Sequence, residues 1–222
     1  RAGQPVVDYG CGPGGLALEL ATRVGPGGHV HGVDLNAEFI ALARKALDEA
    51  GFAGITTFHH VQDDRIPLAD ASADRLVCKN VMEYVPEVAA TLAEFRRVIK
   101  PGGLVHIIDS DWGMLVVEPL GPEKMRELFE AAKHAYRTPH IGRRLYGEMK
   151  KAGFSEVSVK VLTSADIRGH MLFVLQNMAS YATIGGQMDT GRVDKLLAEI
   201  KQSIADGRFM MVLPQFLVTG SA

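Results

Sequence analysis

The stretch Pro5-Val6-Val7-Asp8-Tyr9-Gly10-Cys11-Gly12-Pro13-Gly14-Gly15 constrains this chain more than any other. A short apolar run stops at an acid and a glycine-rich turn follows. Leu16-Ala17-Leu18-Glu19-Leu20-Ala21 then opens an amphipathic helix. Strand, tight loop and helix N-terminus in that order bring backbone N–H groups close to a bound anion or polar ligand. A side chain at Gly10 or Gly12 would block that approach, and some of these positions are expected at positive φ. Gly10, Gly12 and Gly15 also satisfy the loose G-x-G-x-x-G pattern of dinucleotide-binding folds.

Downstream, strands and helices alternate. His29-Val30-His31-Gly32-Val33-Asp34 reads as a second strand ending on an acid. A helix over 37–50 puts Phe39, Ile40, Ala43 and Leu47 on one face, with Asn36 as its N-cap and Gly51 as its stop. Thr56 to Val61 is a third strand and Asp74 to Cys78 a fourth. A helix over Pro86–Lys100 turns Leu92, Phe95 and Ile99 inward, and Pro101-Gly102-Gly103 leads into a fifth strand from Leu104 to Ile108. This alternation predicts a parallel sheet with helices on both faces. Ligands of such sheets bind outside the carboxyl ends of the strands, where Asp8, Asp34, Asp63 and Asp109 are all expected. Asp34 follows Gly10 by 24 residues, a spacing that suits a carboxylate accepting both hydroxyls of a ribose. Leu35 would then lie against the adenine face.

Asp8-x-Gly10-x-Gly12-x-Gly14 resembles the first motif of the class I methyltransferases that use S-adenosylmethionine. The segment from Gln62-Asp63-Asp64 through Asp74 to Val85 looks like the part of that superfamily spanning its third and fourth strands. The resemblance covers residues 5 to 110 and resumes in outline at Ile141-Gly142-Arg143-Arg144-Leu145 and Met149 to Phe154, which are similar to the ubiquinone and menaquinone biosynthesis methyltransferases. It implies a doubly wound α/β fold, Rossmann-like, with a seven-stranded, mostly parallel sheet, an antiparallel last strand and helical lid insertions. The sixth strand would be Ser155 to Leu162. The last, Phe209 to Thr219, would insert antiparallel between the fifth and sixth, with a bulge or break at Pro214. The glycine loop, with Cys11, would lie under the methionine half of the cofactor. Asp64, or failing that Asp63, would accept the adenine amino group, although an Asx-turn pair at a strand end would also explain two aspartates there. Main-chain carbonyls at Lys79 and Asn80 would hold the methionine ammonium. Many relatives have histidine where this chain has Tyr84, so what faces the methyl group stays open.

The expected organisation is one domain over 1–222, with a cofactor half at 1–110 and helical insertions at 111–153 and 165–206 on the acceptor side. One helix is expected from about Glu123 to Arg137. Another, around His170 to Ile184, is apolar on nearly every side and reads equally as a buried helix or as a lid over an apolar acceptor. A third, Arg192 to Ala205, is amphipathic. Arg1 stands almost directly on a strand, so a segment upstream is expected.

A net charge of −2 gives no basic field for nucleic acid, and no apolar run is long enough to span a bilayer. Two cysteines, Cys11 and Cys78, suggest neither a disulfide nor a metal framework, and a reducing cytoplasm is the simplest setting. The expected acceptor is a small apolar or aromatic metabolite, methylated on oxygen, nitrogen or carbon, and a homodimer is possible. Methyl transfer is an in-line displacement in which alignment and exclusion of water matter most. An oxygen or carbon acceptor also needs a base. His134, His140 and His170 are candidates, with Tyr84 and Tyr136 as orienting groups and Trp112 as a pocket wall. Two alternatives stay open: an NAD(P)-dependent oxidoreductase, and a cofactor-binding relative without catalysis.

Overall fold

The computed structural model describes residues 1–63 and 65–222. Its strands are Pro5–Tyr9 (β1), His29–Asp34 (β2), Thr56–His60 (β3), Ala73–Lys79 (β4), Ile99–Ser110 (β5), Val116–Glu118 (β6), Ser155–Leu162 (β7), Met210–Val212 (β8) and Gln215–Ser221 (β9). Its helices are Gly15–Val24 (α1), Ala37–Glu49 (α2), Val88–Val98 (α3), Gly121–Ala132 (α4), Ile141–Lys151 (α5), Leu172–Ile184 (α6) and Thr190–Ala205 (α7).

The main sheet has seven strands in the order β3-β2-β1-β4-β5-β9-β7. Pairs from β3 through β5 are parallel, and β9 runs antiparallel between β5 and β7. Alternation along β1 shows why the sheet needs helices on both faces. Val6 packs with Ala17, Ala21, Ile40, Ala43 and Leu47 under α1 and α2. Its neighbour Val7 joins Leu92, Phe95, Leu145 and Met149 under α3 and α5. Leu47, Phe95 and Leu145 are fully buried, each contributing roughly 1.5–3 kcal/mol of apolar transfer. A third core joins α4, α6 and α7 through Leu128, Met178, Leu196 and Met211, beyond the carboxyl end of β5. Lys124–Glu199 and Arg192–Glu127 ion pairs tie α4 to α7 at its surface.

The helix expected over Pro86–Lys100 is shorter. Ile99 leaves it to pair with Ala73, and strand β5 therefore begins before the Pro101-Gly102-Gly103 turn. Phe39 does not join the buried face of α2; it is 42% exposed. The single last strand expected over Phe209–Thr219 divides at Leu213-Pro214, since Pro214 has no N–H to donate to a ladder. Its first part leaves the main sheet and pairs with β6, a strand with no sequence signal of its own. The helix expected from Glu123 to Arg137 ends at Ala132 and continues as a short 3₁₀ turn over Lys133–Ala135. Among the described residues no helix is long and apolar enough to cross a membrane.

Helix α5 sits unusually close to the sheet. A Cβ on Gly142 would lie 2.7 Å from Phe216 and 2.9 Å from the backbone of Ser110. The backbone cannot move aside as a flexible side chain could. Gly142→Ala is therefore expected to destabilise the protein by about 1–3 kcal/mol, read from a thermal or denaturant melt; an unchanged midpoint would contradict this packing.

Candidate functional site

The glycine loop leaves β1 under the end of β2. Gly10 and Cys11 both donate their N–H to Val33 O, at 2.8 and 3.0 Å, and Gly14 N–H donates to Cys11 O at 3.1 Å. Gly12 N–H donates to Asp34 Oδ2 at 2.8 Å. These amides are thus used within the protein rather than held out toward an anion. The glycines have distinct reasons. Gly10 has φ +72°, and a Cβ there would meet Val81 Cγ2 at 2.2 Å, so close packing on the turn after β4 demands it. Gly12 has φ +51° and nothing within 4 Å of an added Cβ, so it borders open space. Gly14, at φ +92°, lets Ala43 of α2 approach the loop.

That open space is a groove of about 330 Å³ lined by Gly10, Gly12, Asp34, Leu35, Phe39 and Val61, and closed on the other side by Asn80, Val81 and Tyr84. Asp34 is braced by Gly12 N–H on one oxygen and Asn36 N–H on the other. The α2 cap is Asn36, whose Oδ1 accepts from Glu38 and Phe39 N–H, so Asp34 is free of that duty. Leu35 is 60% exposed on the groove wall. Asp8 lies beneath the loop, 1% exposed, with Oδ2 lacking a hydrogen-bond partner. Burial and the neighbouring Asp34 charge push its carboxyl up to about 7. Cys11 faces the α1–α2 core, burial pushes its thiol up to about 12, and the protonated thiol donates to Gly12 O at 3.6 Å. Asp63 is exposed, its Oδ1 accepting Arg65 N–H in an Asx turn. Asp64 lies outside the described residues.

A second, larger cavity of about 730 Å³ adjoins the groove. Asn80 and Tyr84 line both spaces. Asn80 makes the turn out of β4 at φ +56°, and Gln215 Nε2 donates to its Oδ1 at 2.8 Å. Lys79, exposed, stands at the rim of the larger cavity. From the far side, α6 contributes Phe173, Val174, Asn177 and Tyr181. The apolar helix expected around His170–Ile184 is therefore both buried, through Leu175, Met178 and Ala182, and a cavity wall.

Tyr136 centres a group of rings. It lies 5.7 Å from Tyr84, 4.9 Å from Trp112 and 5.8 Å, edge-on, from Tyr181. Burial and the adjoining Glu83 push the Tyr84 and Tyr136 phenols far above their ordinary range, so both keep their protons. The expected histidines are elsewhere. His134 packs against Gly185 and bonds the Ala131 carbonyl through Nδ1. His140 stands at the start of α5, its Nδ1 on Asp111 Oδ1 at 3.1 Å, and His170 is exposed; none of the three lines the cavity. Asp111 is held by Arg143 as well as His140, which makes it an anchor for the chain leaving β5. Sequence reasoning missed Glu83, 3% exposed and in the cavity wall, because an acid among Met82, Tyr84 and Val85 has no periodicity to mark it. The one available signal was its place just beyond β4.

A family profile described as a methyltransferase domain matches residues 1–153. The chain is 32% identical over 170 residues to an uncharacterized 37.1 kDa protein in transposon TN4556 of Streptomyces fradiae, covering 74% of this chain and 47% of that protein. It is 31% identical over 138 residues to a ubiquinone biosynthesis O-methyltransferase of Aromatoleum aromaticum, covering 61% of this chain and 57% of the relative. It thus spans about half the length of these relatives. Among solved structures, the YcgJ protein of Bacillus subtilis superposes with a TM-score of 0.68 at 17% identity, covering all of this chain and 92% of that one.

Two outcomes test the groove. Asp34→Ala should weaken binding of S-adenosylhomocysteine by about 1.5–3 kcal/mol in calorimetry, the value of a charged hydrogen bond; unchanged affinity removes Asp34 from the site. Asp8 has the opposite sign of pH linkage from an ion-paired acid. Its folded-state value near 7 exceeds the ordinary value of 3.8, so the folded protein holds a proton that the unfolded chain releases. Stability should therefore fall as pH rises between those two values. Asp8→Asn should cut the loss of stability between pH 5 and pH 8 by on the order of 2 kcal/mol, measured by melts at both pH values.

Proposed function

This chain belongs to the class I S-adenosylmethionine-dependent methyltransferases, and on that premise we propose that it transfers a methyl group to a small organic acceptor held in the 730 Å³ cavity. The observation that carries this reading is the junction of the two spaces at Asn80 and Tyr84. A donor in the groove and an acceptor in the cavity would meet there and nowhere else along the walls.

The groove residues fit the cofactor. Gly12 leaves room for close approach, Asp34 offers a braced carboxylate to a ribose diol, and Leu35 and Val61 offer apolar faces to a purine. The glycine loop and the turn at Asn80 would take the methionine end, above the unpartnered oxygen of Asp8. When bound, the cofactor supplies an electrophilic methyl on a positively charged sulfur. Charge on sulfur falls as the bond breaks, so a carboxylate against it would favour the ground state over the transition state. Asp34 would mark the ribose end of the groove, and Glu83 lines only the larger cavity. Tyr84 and Asn80 would align the acceptor across the junction, and α6 with Trp112 would keep water from it.

The dinucleotide alternative fits less well. A pyrophosphate would need the loop amides that Val33, Asp34 and Cys11 already occupy. The layer built from α4, α6 and α7, corresponding to the segments 111–153 and 165–206, would act as the acceptor half. The expected acceptor is apolar or aromatic in its body, to match Trp112, Tyr136, Phe173 and Val174.

Val174→Trp should fill this cavity. The variant is expected to bind S-adenosylhomocysteine within about twofold of the parent while losing ligands of the larger space, both by calorimetry. Tight binding of NADH with none of S-adenosylhomocysteine would overturn the proposal.

A further inference from the structure

The cavity walls bear on the chemistry of the acceptor. Glu83 lies just beyond the end of β4 with its side chain turned inward, 3% exposed. It lines the larger cavity and is absent from the lining of the groove. Burial raises its carboxyl above the ordinary range, and two donors oppose that rise: the Trp112 indole N–H, which its Oε2 accepts, and the Tyr84 hydroxyl. Its backbone carbonyl receives the N–H groups of Arg137 and Thr138, at 2.9 and 3.0 Å, which fixes the turn carrying it. Behind it Asp109, fully buried, accepts N–H bonds from Val81 and Ser110. Burial and the Glu83 charge push Asp109 up to about 8, while at Glu83 the Trp112 and Tyr84 donors work against the burial that raises its carboxyl. The only cation in the lining, among the described residues, is Lys79, exposed at the rim.

A buried carboxylate among four aromatic rings is a poor partner for an acceptor that must react as an anion. A phenolate or enolate would face Glu83 as a like charge, against the rings' negative faces. It is a good partner for an organic cation, which gains from the carboxylate and from the ring quadrupoles together. We infer that the acceptor is an amine, received by Glu83 and flanked by Tyr84, Trp112, Tyr136 and Tyr181. This rests on the methyl-transfer reading and narrows it to N-methylation.

The balance is simple. The ammonium form binds against Glu83 and releases one proton to solvent at the open mouth. The nitrogen lone pair forms the N–C bond as the C–S bond breaks, and that bond's electron pair goes to sulfur. Sulfur becomes a neutral thioether, and the positive charge reappears on the methylated nitrogen. The charge thus arrives beside Glu83 in the transition state, where a fixed carboxylate in a dry wall favours it. Glu83 neither gives nor takes a proton in this step.

The test compares benzylamine with benzyl alcohol, of the same size, binding to the protein saturated with S-adenosylhomocysteine, by calorimetry. The expected result is at least tenfold tighter binding of benzylamine. Glu83→Gln should bring the ratio close to one with S-adenosylhomocysteine affinity within about twofold. Should Glu83→Gln fail to fold, Tyr181→Leu serves instead: it removes one ring, keeps the acid and should weaken the amine more than the alcohol. Equal binding of the two probes to the parent protein overturns the inference, as does a preference that survives Glu83→Gln or an equal loss of both probes in Tyr181→Leu. Absence of S-adenosylhomocysteine binding to the parent would overturn the methyl-transfer reading itself, whereas intact binding without amine preference would overturn this inference alone.

Discussion

The bond between Gly12 N–H and Asp34 Oδ2 joins two stretches 22 residues apart and sets the geometry of the groove at the glycine loop. It ties the loop after β1 to the carboxyl end of β2, so that loop and acid face one groove. Gly10 and Cys11 reinforce it by donating to Val33, the residue before the acid. Gly10 and Gly12 take positive φ here, and a Cβ at Gly10 would also meet Val81, which is why glycine stands at both positions. With both oxygens of Asp34 already holding a backbone amide, the carboxylate is oriented before any ligand arrives. Preorganisation of that kind lowers the ordering cost of binding.

The larger cavity depends on a different kind of support. Its walls come from elements remote in sequence: the turn after β4, the segment after β5, and α6. The first two are joined by backbone contacts at one residue, Glu83, whose carbonyl receives Arg137 and Thr138, and by the hydroxyl of Thr138 on the Met82 carbonyl at 2.6 Å. The Asp111–Arg143 pair fixes the direction in which the chain leaves the sheet. The small β6–β8 ladder pairs the segment after β5 with the one before β9. The groove at the glycine loop thus adjoins a cavity built largely from the less regular half of the chain. Loops and insertions placed on a fixed sheet are where a fold of this type can change its substrate.

Much of the half that carries the glycine loop was legible because its signals are local. The apolar run before Asp8, the glycines and the periodicity of α2 each act over a few residues, and Asn36 caps α2 as its side chain suggested. The break at Pro214 was legible for the same reason, since a missing N–H acts where it stands. What β8 does after that break was not, because pairing with β6 depends on a contact some 95 residues away. The histidines show the same boundary. His134 and His140 have suitable chemistry and lie in a suitable region, but Gly185 and Asp111 engage them away from the cavity.

The amino-acid sequence by itself determined that strands and helices alternate, that the sheet is largely parallel, and that a glycine loop and an acid after the second strand share one rim. These follow from backbone freedom and hydrophobic period, which are properties of neighbours in the chain. Only the tertiary structure decided which acids are exposed and which are buried. Asp34 and Asp63 reach solvent, while Asp8, Glu83 and Asp109 are sealed among apolar neighbours. Burial is set by what packs on a residue from elsewhere in the chain. It is also what turns a carboxylate from a solvated surface group into one whose charge directs chemistry.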